Sequence, residues 1–560
     1  MEFHFQFVSS LEKVHCRPDF KPEIPLPQIS GAPPVYHVAQ GENYACQLMV
    51  KSDVNIHLAF SAETPEGIAL TFREVGYVPS DMPGLPGDDD SLYMEAGLHP
   101  DPLLPLEEPM RLSYNNWHSI YIDIKVSPSC QAGSYKIPIT MEMIQTPGCP
   151  WGFPFDFTQK AVILVNVYKA DLLPQKFICT NWFHCDCLAY YYKVELWSKE
   201  FWRIAENYFR DMAEHGRNML YTPLWTPPLD TAKGGERPTC QLLKIQYKNG
   251  KYSFDLSLLE RFVELAQKCG IEYFELSHLF TQWGAAATPK IVAETEEGTK
   301  QIFGWDVDSN SKEYEEFLSA LLPELAGFFE AKNLKGKVYF HLSDEPPLSC
   351  IETYKKGAEI VYKYLPRKDY PVLDALSNID FFKQGLLDVP VPCVNEFHLF
   401  DKENTRERWV YYAGVANKHT AAAFAVPSRR NRILGVLCYL YRIEGFLHWG
   451  HNFWFTQYSL NYDRDPWKDT SAGRAFIGGG SSNVYPLKDG TPASSLHYEV
   501  FSHALNDLRL LRTLEAKIGR EETVKLIHKG LDYEIAMDRY PREAVYLENL
   551  HTAIVKKLGE

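Results

Sequence analysis

Along the first third of the chain, apolar and polar positions alternate with a period of two. In Val54-Asn55-Ile56-His57-Leu58-Ala59-Phe60 and Trp117-His118-Ser119-Ile120-Tyr121-Ile122-Asp123-Ile124 the alternation is that of a half-buried strand, and Ala161-Val162-Ile163-Leu164-Val165-Asn166-Val167 is an apolar run of strand length. Turn-forming clusters such as Pro83-Gly84-Leu85-Pro86-Gly87-Asp88-Asp89-Asp90 separate these runs, and Ala132-Gly133-Ser134 leads into a further strand that reaches Met143. No long amphipathic helix interrupts them. The pattern predicts an antiparallel β-sandwich over residues 1–172, with Asp171-Leu172-Leu173-Pro174 as a joint.

Past Pro174 short apolar strands alternate with amphipathic helices. Strands are predicted at 177–183, 218–225, 271–278, 337–340, 371–376, 389–396, 409–414 and 446–454. Helices are predicted at 198–215, 256–269, 313–333, 351–364, 429–441 and 496–514, the first two stopped by Gly216 and Gly270. Eight such units over residues 173–560 predict a (β/α)8 TIM-like barrel with closing C-terminal helices, within the size range of barrels that carry insertions. An open doubly wound sheet is the runner-up. No Gly-x-Gly-x-x-Gly follows the first strand, and Gly478-Gly479-Gly480 lacks the lysine of a phosphate loop, so nothing supports a nucleotide site.

Composition narrows the partners. The 560 residues hold 57 Lys and Arg against 72 Asp and Glu, a net charge of −15, which argues against nucleic acid or an anionic membrane as the partner. Met1-Glu2-Phe3-His4-Phe5-Gln6 shows no basic leader, no apolar run approaches membrane-spanning length, and the 12 cysteines form no regular framework; together these predict a cytoplasmic protein with reduced thiols. His184-Cys185-Asp186-Cys187 has the residue types of a metal site. It lacks a second pair of ligands nearby, and strand alternation would split the four side chains between two faces, so no metal site is expected there.

The chemistry collects around His341-Leu342-Ser343-Asp344-Glu345-Pro346-Pro347. The prolines end the fourth barrel strand, which puts two adjacent carboxylates on the rim where barrels bind ligands. The other strand ends bring Asn181, His184, Trp225, His278, Asp374, Glu396, His398, Tyr411, Tyr412, Trp449, Asn452 and Trp454 to the same rim. Aromatic faces with amide, imidazole and carboxylate groups suit a sugar. The seventh strand offers no carboxylate opposite Glu345, as a two-carboxylate retaining glycosidase would need. Adjacent carboxylates instead suit a division of labour: Glu345 protonates the leaving oxygen, and Asp344 steadies a 2-acetamido group that attacks the anomeric carbon of its own sugar.

An Asp-Glu-Pro at the end of a fourth barrel strand, preceded by a β-sandwich, resembles glycoside hydrolase family 123. Ser495-Leu496-His497-Tyr498-Glu499-Val500-Phe501 followed by Asn506-Asp507-Leu508 is similar to that family's C-terminal helix, where the usual form is closer to Arg-x-Glu-x-x-Arg-x-Gly-x-x-Asp; His497, Ser502 and Ala504 depart from it. The resemblance implies a retaining exo-β-N-acetylgalactosaminidase without cofactor, acting on an oligosaccharide with terminal β-linked N-acetylgalactosamine, of glycolipid type or other. It implies that Asp344 supports the acetamido group and Glu345 is the acid/base. A β-N-acetylglucosaminidase or broad hexosaminidase, and a non-catalytic carbohydrate-binding protein, stand as alternatives.

Overall fold

The structure, a computed structural model, describes residues 1–23, 32–144, 156–229, 234–413, 417–456 and 464–560. Its contacts divide the chain into two units: Met1–Gln175 with Thr420–Leu440 and Ala493–Glu560, and Lys176–His419 with Tyr441–Pro492.

The first unit is the β-sandwich. One sheet runs in the order Phe3–Ser9, Asn43–Ser52, His118–Val126, Ile68–Ser80, Gly97–Pro105; the other in the order Val35–Ala39, Thr158–Tyr168, Gly133–Met143, Ile56–Ala62, Met110–Leu112. All neighbours are antiparallel except Val35–Ala39, which lies parallel to Thr158–Tyr168, so the second sheet is mixed rather than purely antiparallel. The period of two is realised in Gly133–Met143, where Ile137, Ile139, Met141 and Met143 are buried and the residues between them are not. These side chains meet Leu48, Ile120 and Ile122 of the facing sheet in one core.

The C-terminal helices Leu496–Ile518, Arg520–Ile527 and Ala544–Gly559 belong by their contacts to this unit, which corrects the sequence-based division that joined them to the barrel. The reason lies in their buried faces. Leu496 packs with Ala45, Val75, Leu103 and Tyr121, and Glu499 pairs with Arg73 at 2.6 Å. The Glu499 and Asp507 of the C-terminal motif are therefore structural anchors. Arg432 grips Asp507 through two hydrogen bonds, at 2.8 and 3.1 Å, and lies 3.5 Å from Glu548, which also accepts from Ser9 and Tyr44. Replacing Arg432 with methionine leaves a buried and a half-buried carboxylate, Asp507 and Glu548, without their cation. We expect a loss of about 3–5 kcal/mol in unfolding free energy, read by urea titration.

The second unit is the barrel. Its parallel strands are Ile178–Asn181, Met219–Thr222, Tyr273–Leu276, Val338–His341, Val372–Ala375, Val389–Val391, Trp409–Tyr411 and Gly445–His448, called strands one to eight below. The sheet order is six, five, four, three, two, one, eight, seven, and a parallel bridge from Cys393 to Tyr411 joins the last to the first. Helix Lys199–Glu214 starts where the Ser198 side chain accepts the amide of Phe201, and Gly216 and Gly270 turn the chain out of the first two long helices at φ 81° and 102°. The polar excursions after strands two and three form an extra four-stranded sheet from Lys244–Lys248, Lys251–Asp255, Ile291–Thr295 and Gly298–Phe303. Gly414, read from sequence as the end of strand seven, lies outside the described residues. Among the described residues no helix is long and apolar enough to cross a membrane, and eleven cysteines are free thiols.

Candidate active site

Three strands carry charge into the barrel interior. Glu275 of strand three, His341 of strand four and Asp374 of strand five are fully buried. His341 Nδ1 lies 2.9 Å from Glu275 and Nε2 lies 3.3 Å from Asp374. Glu275 also accepts from Trp182 Nε1 at 2.9 Å and from the Thr180 hydroxyl at 3.0 Å, both at the end of strand one. Burial alone would lower the His341 pKa; the hydrogen bonds and charges of Asp374 and Glu275 outweigh it and raise it to about 9. Burial pushes Asp374 upward, and His341, the Ser343 amide and the Tyr354 hydroxyl pull it back. The proton therefore belongs on His341, as a cation between two carboxylates.

The sign of the linkage follows from the raised His341. Its contribution to stability is complete below about pH 6.5, the pKa of an unperturbed histidine. It is lost as the pH climbs through about 9. We expect the melting temperature to fall across that window. His341→Leu should flatten the fall and cost about 3–5 kcal/mol at neutral pH, because it strands two buried anions; thermal unfolding at pH 6, 7.5 and 9 measures both.

This layer fixes the lip above it. Asp374 accepts the Ser343 amide at 2.9 Å, and the Ser343 hydroxyl donates to the Thr281 carbonyl at 2.7 Å. The Trp283 amide donates to the Asp344 carbonyl at 2.7 Å, and the Glu345 amide to the Ala375 carbonyl at 2.9 Å. Asp344 is half-buried and Glu345 exposed. Glu345 holds φ at 44°, a left-handed conformation that costs a non-glycine residue about 1–3 kcal/mol and recurs where function over-determines the backbone. Across the barrel mouth, Tyr411 of strand seven donates its hydroxyl to Glu345 Oε1 at 2.5 Å. The group that faces Glu345 from that strand is thus a phenol.

The structure gathers Asp344, Glu345 and Tyr411 and disperses much of the remaining predicted rim. Trp225 is fully buried, its indole N–H on the His278 carbonyl and its ring against Phe317, so it is barrel core. Asp374 is spent on Ser343, Tyr354 and His341 as described. His184, Asp186 and Arg237 form a buried cluster: Arg237 donates twice to Asp186, at 2.9 Å, and lies 3.1 Å from His184 Nδ1, while Asn452 clamps the His184 backbone at 2.8 and 3.1 Å. Trp454 donates to Ser482 and packs on Tyr191 and Tyr208, Tyr412 packs on Phe446 and His448, and Asn181 is buried beside Cys179. These side chains do not present themselves to a sugar. Trp449 and Glu396 are half-buried, and His398 is exposed on the short turn Phe397–Leu399. His278 is wholly buried.

Sequence reasoning missed Glu275, His341, Arg237 and Trp283. A charged residue in the middle of an otherwise apolar barrel strand demands a partner, and Glu275 in Tyr273-Phe274-Glu275-Leu276 carries that signal. Trp283, 39% exposed and bonded through its amide to the Asp344 carbonyl, carries no such signal.

Neither histidine cluster fits a metal ion. Cys185–Tyr192 is a helix, and Asp186 on it and His184 before it answer Arg237. A ring nitrogen of His278, one of His341 and a carboxylate oxygen of Asp344 lie within 4.8 Å of one another. Both nitrogens of His341 already have carboxylate partners, and its positive charge opposes a cation.

The family profile described as "Glycoside hydrolase 123, catalytic domain" matches residues 182–514. No curated protein matches this chain. Among solved structures, a family 123 glycoside hydrolase from Clostridium perfringens, reported for the details of glycolipid glycan hydrolysis, superposes with a TM-score of 0.72 at 12% identity, over 100% of this chain and 97% of that one. At that identity the likeness shows the fold. A β-glucuronidase from Bifidobacterium dentium covers 90% of this chain and 67% of that one at 8% identity, with a TM-score of 0.31 that carries no argument. The profile spans more than half of the chain, including barrel strands two to eight and the Asp344-Glu345 lip, and on that ground the chain belongs to glycoside hydrolase family 123 and is a glycoside hydrolase.

Proposed function

We propose that this enzyme is a retaining exo-glycosidase that releases terminal β-linked N-acetylgalactosamine by substrate-assisted catalysis. The observation that carries this reading is the pairing at the lip: adjacent Asp344 and Glu345, with a tyrosine rather than a second carboxylate reaching Glu345 from strand seven. An enzymatic nucleophile across the scissile bond would be a carboxylate ~5–5.5 Å from the acid. With a phenol there, the substrate's own acetamido oxygen is the available nucleophile.

Glu345 gives its proton to the leaving oxygen while the acetamido oxygen closes on C1. Asp344 accepts the acetamido N–H and offsets the positive charge of the oxazolinium ion. Glu345, now a carboxylate, then draws a proton from water attacking C1, and the β-configuration is restored. Tyr411 holds Glu345 in place between the two steps. Trp449, Glu396 and His398 are the proposed sugar contacts among the remaining rim residues, and no step calls for a metal or organic cofactor. The glycolipid glycan hydrolysis named for the similar Clostridium perfringens enzyme supports a glycan of that type as substrate.

Paired aryl β-glycosides of N-acetylgalactosamine and N-acetylglucosamine test the specificity, with the first-formed anomer read by proton NMR. The reading expects release of β-N-acetylgalactosamine in preference to its C4 epimer. Release of the α-anomer overturns the mechanism, preference for N-acetylglucosamine overturns the substrate, and binding without turnover leaves a carbohydrate-binding protein.

A further inference from the structure

His278 takes no part in the steps above, yet it sits directly beneath them. Its Nδ1 lies 3.0 Å from the Tyr221 hydroxyl, which is itself fully buried, and the backbone N–H of His278 is directed at that same hydroxyl oxygen. We assign the hydroxyl proton to Nδ1, the acceptor within hydrogen-bond reach of it. A neutral imidazole whose Nδ1 accepts must carry its proton on Nε2. Burial, reinforced by the charge on His341 whose ring centre lies 3.7 Å away, keeps His278 neutral.

The result is a buried N–H of fixed direction. His278 Nε2 has no hydrogen-bond partner among the described residues, a condition native structures seldom leave without a purpose. A ring nitrogen of His278 and an Asp344 carboxylate oxygen lie within 4.8 Å of each other. We infer that His278 is a positioning residue for Asp344: its Nε2–H hydrogen-bonds one carboxylate oxygen when a 2-acetamido sugar is bound and leaves the other to accept the acetamido N–H. This role rests on the substrate-assisted reading. Tyr221 serves it by fixing the tautomer, and His341 by keeping the ring uncharged.

The test is a double-mutant cycle read by the affinity of a thiazoline derived from N-acetylgalactosamine and by kcat and KM on an aryl glycoside. His278→Phe should weaken thiazoline binding and lower kcat about 10–100-fold, the usual scale for removing a residue that orients a catalytic group, with KM nearly unchanged. His278→Gln, which keeps an N–H donor, should recover most of that loss. In an Asp344→Asn background, His278→Phe should cost little more. Should His278→Phe fail to fold, Tyr221→Phe removes the proton donor that sets the tautomer and should lower kcat in the same direction. Equal impairment of the Phe and Gln variants, or an undiminished effect of His278→Phe in Asp344→Asn, overturns the role of His278. Failure of the wild-type enzyme to bind the thiazoline overturns the substrate-assisted reading itself, and this role with it.

Discussion

Asp344→Asn is expected to lower kcat/KM on every N-acetylhexosaminide about 10²–10³-fold, whatever the leaving group. Asparagine keeps the shape of the side chain and removes its charge. An oxazolinium ion carries positive charge that the ground state lacks, so the aspartate contributes more to the transition state than to substrate binding. Losing one such preorganised electrostatic partner costs about 2.7–4 kcal/mol in comparable sites. A series of aryl glycosides with phenols of rising pKa measures the effect. The variant should run parallel to the wild type across the series, because the step that fails is closure of the acetamido ring.

Glu345→Ala is expected to give the opposite pattern. General acid catalysis contributes about 10²–10⁴-fold when the leaving group needs a proton, and little when it does not. The variant should therefore approach wild-type rates on the most acidic phenols and lose the full factor on alkyl or sugar glycosides. Tyr411 would remain in place, since it is buried and its backbone is bonded to Pro392 and Val394 of the chain beside it. If the two variants exchanged patterns, with Asp344→Asn sensitive to the leaving group and Glu345→Ala insensitive, the roles assigned here would be reversed.

The barrel was legible because a parallel strand buried on both faces reads as a short apolar run, and because glycines and a serine cap mark the helix ends. The helix expected at 351–364 is Ile351–Tyr364, and the fourth strand, expected at 337–340, is Val338–His341, with Asp344 and Glu345 on the turn between it and the prolines. The rim was harder. A strand's last residues can point inward, outward or up, and the period of two does not say which. Trp225 and Trp454, counted on the rim as aromatics at strand ends, turned out to fill core space. Buried charge was harder again, because its partners are remote in sequence: Arg237 meets Asp186 across 51 residues, and His341 meets Glu275 across 66. The C-terminal helices looked like the end of a barrel because helices were what the repeat called for. Their buried faces carry Leu496, Glu499 and Asp507, whose partners lie in the first unit.

The central claim is that the nucleophile is the substrate's own acetamido oxygen. Successive fluorination of the acetyl group, from acetamido through mono-, di- and trifluoroacetamido glycosides, lowers the basicity of that oxygen and leaves the glycosidic bond in place. The account predicts that kcat/KM falls steeply and monotonically along the series. A rate that stays constant from acetamido to trifluoroacetamido would contradict it.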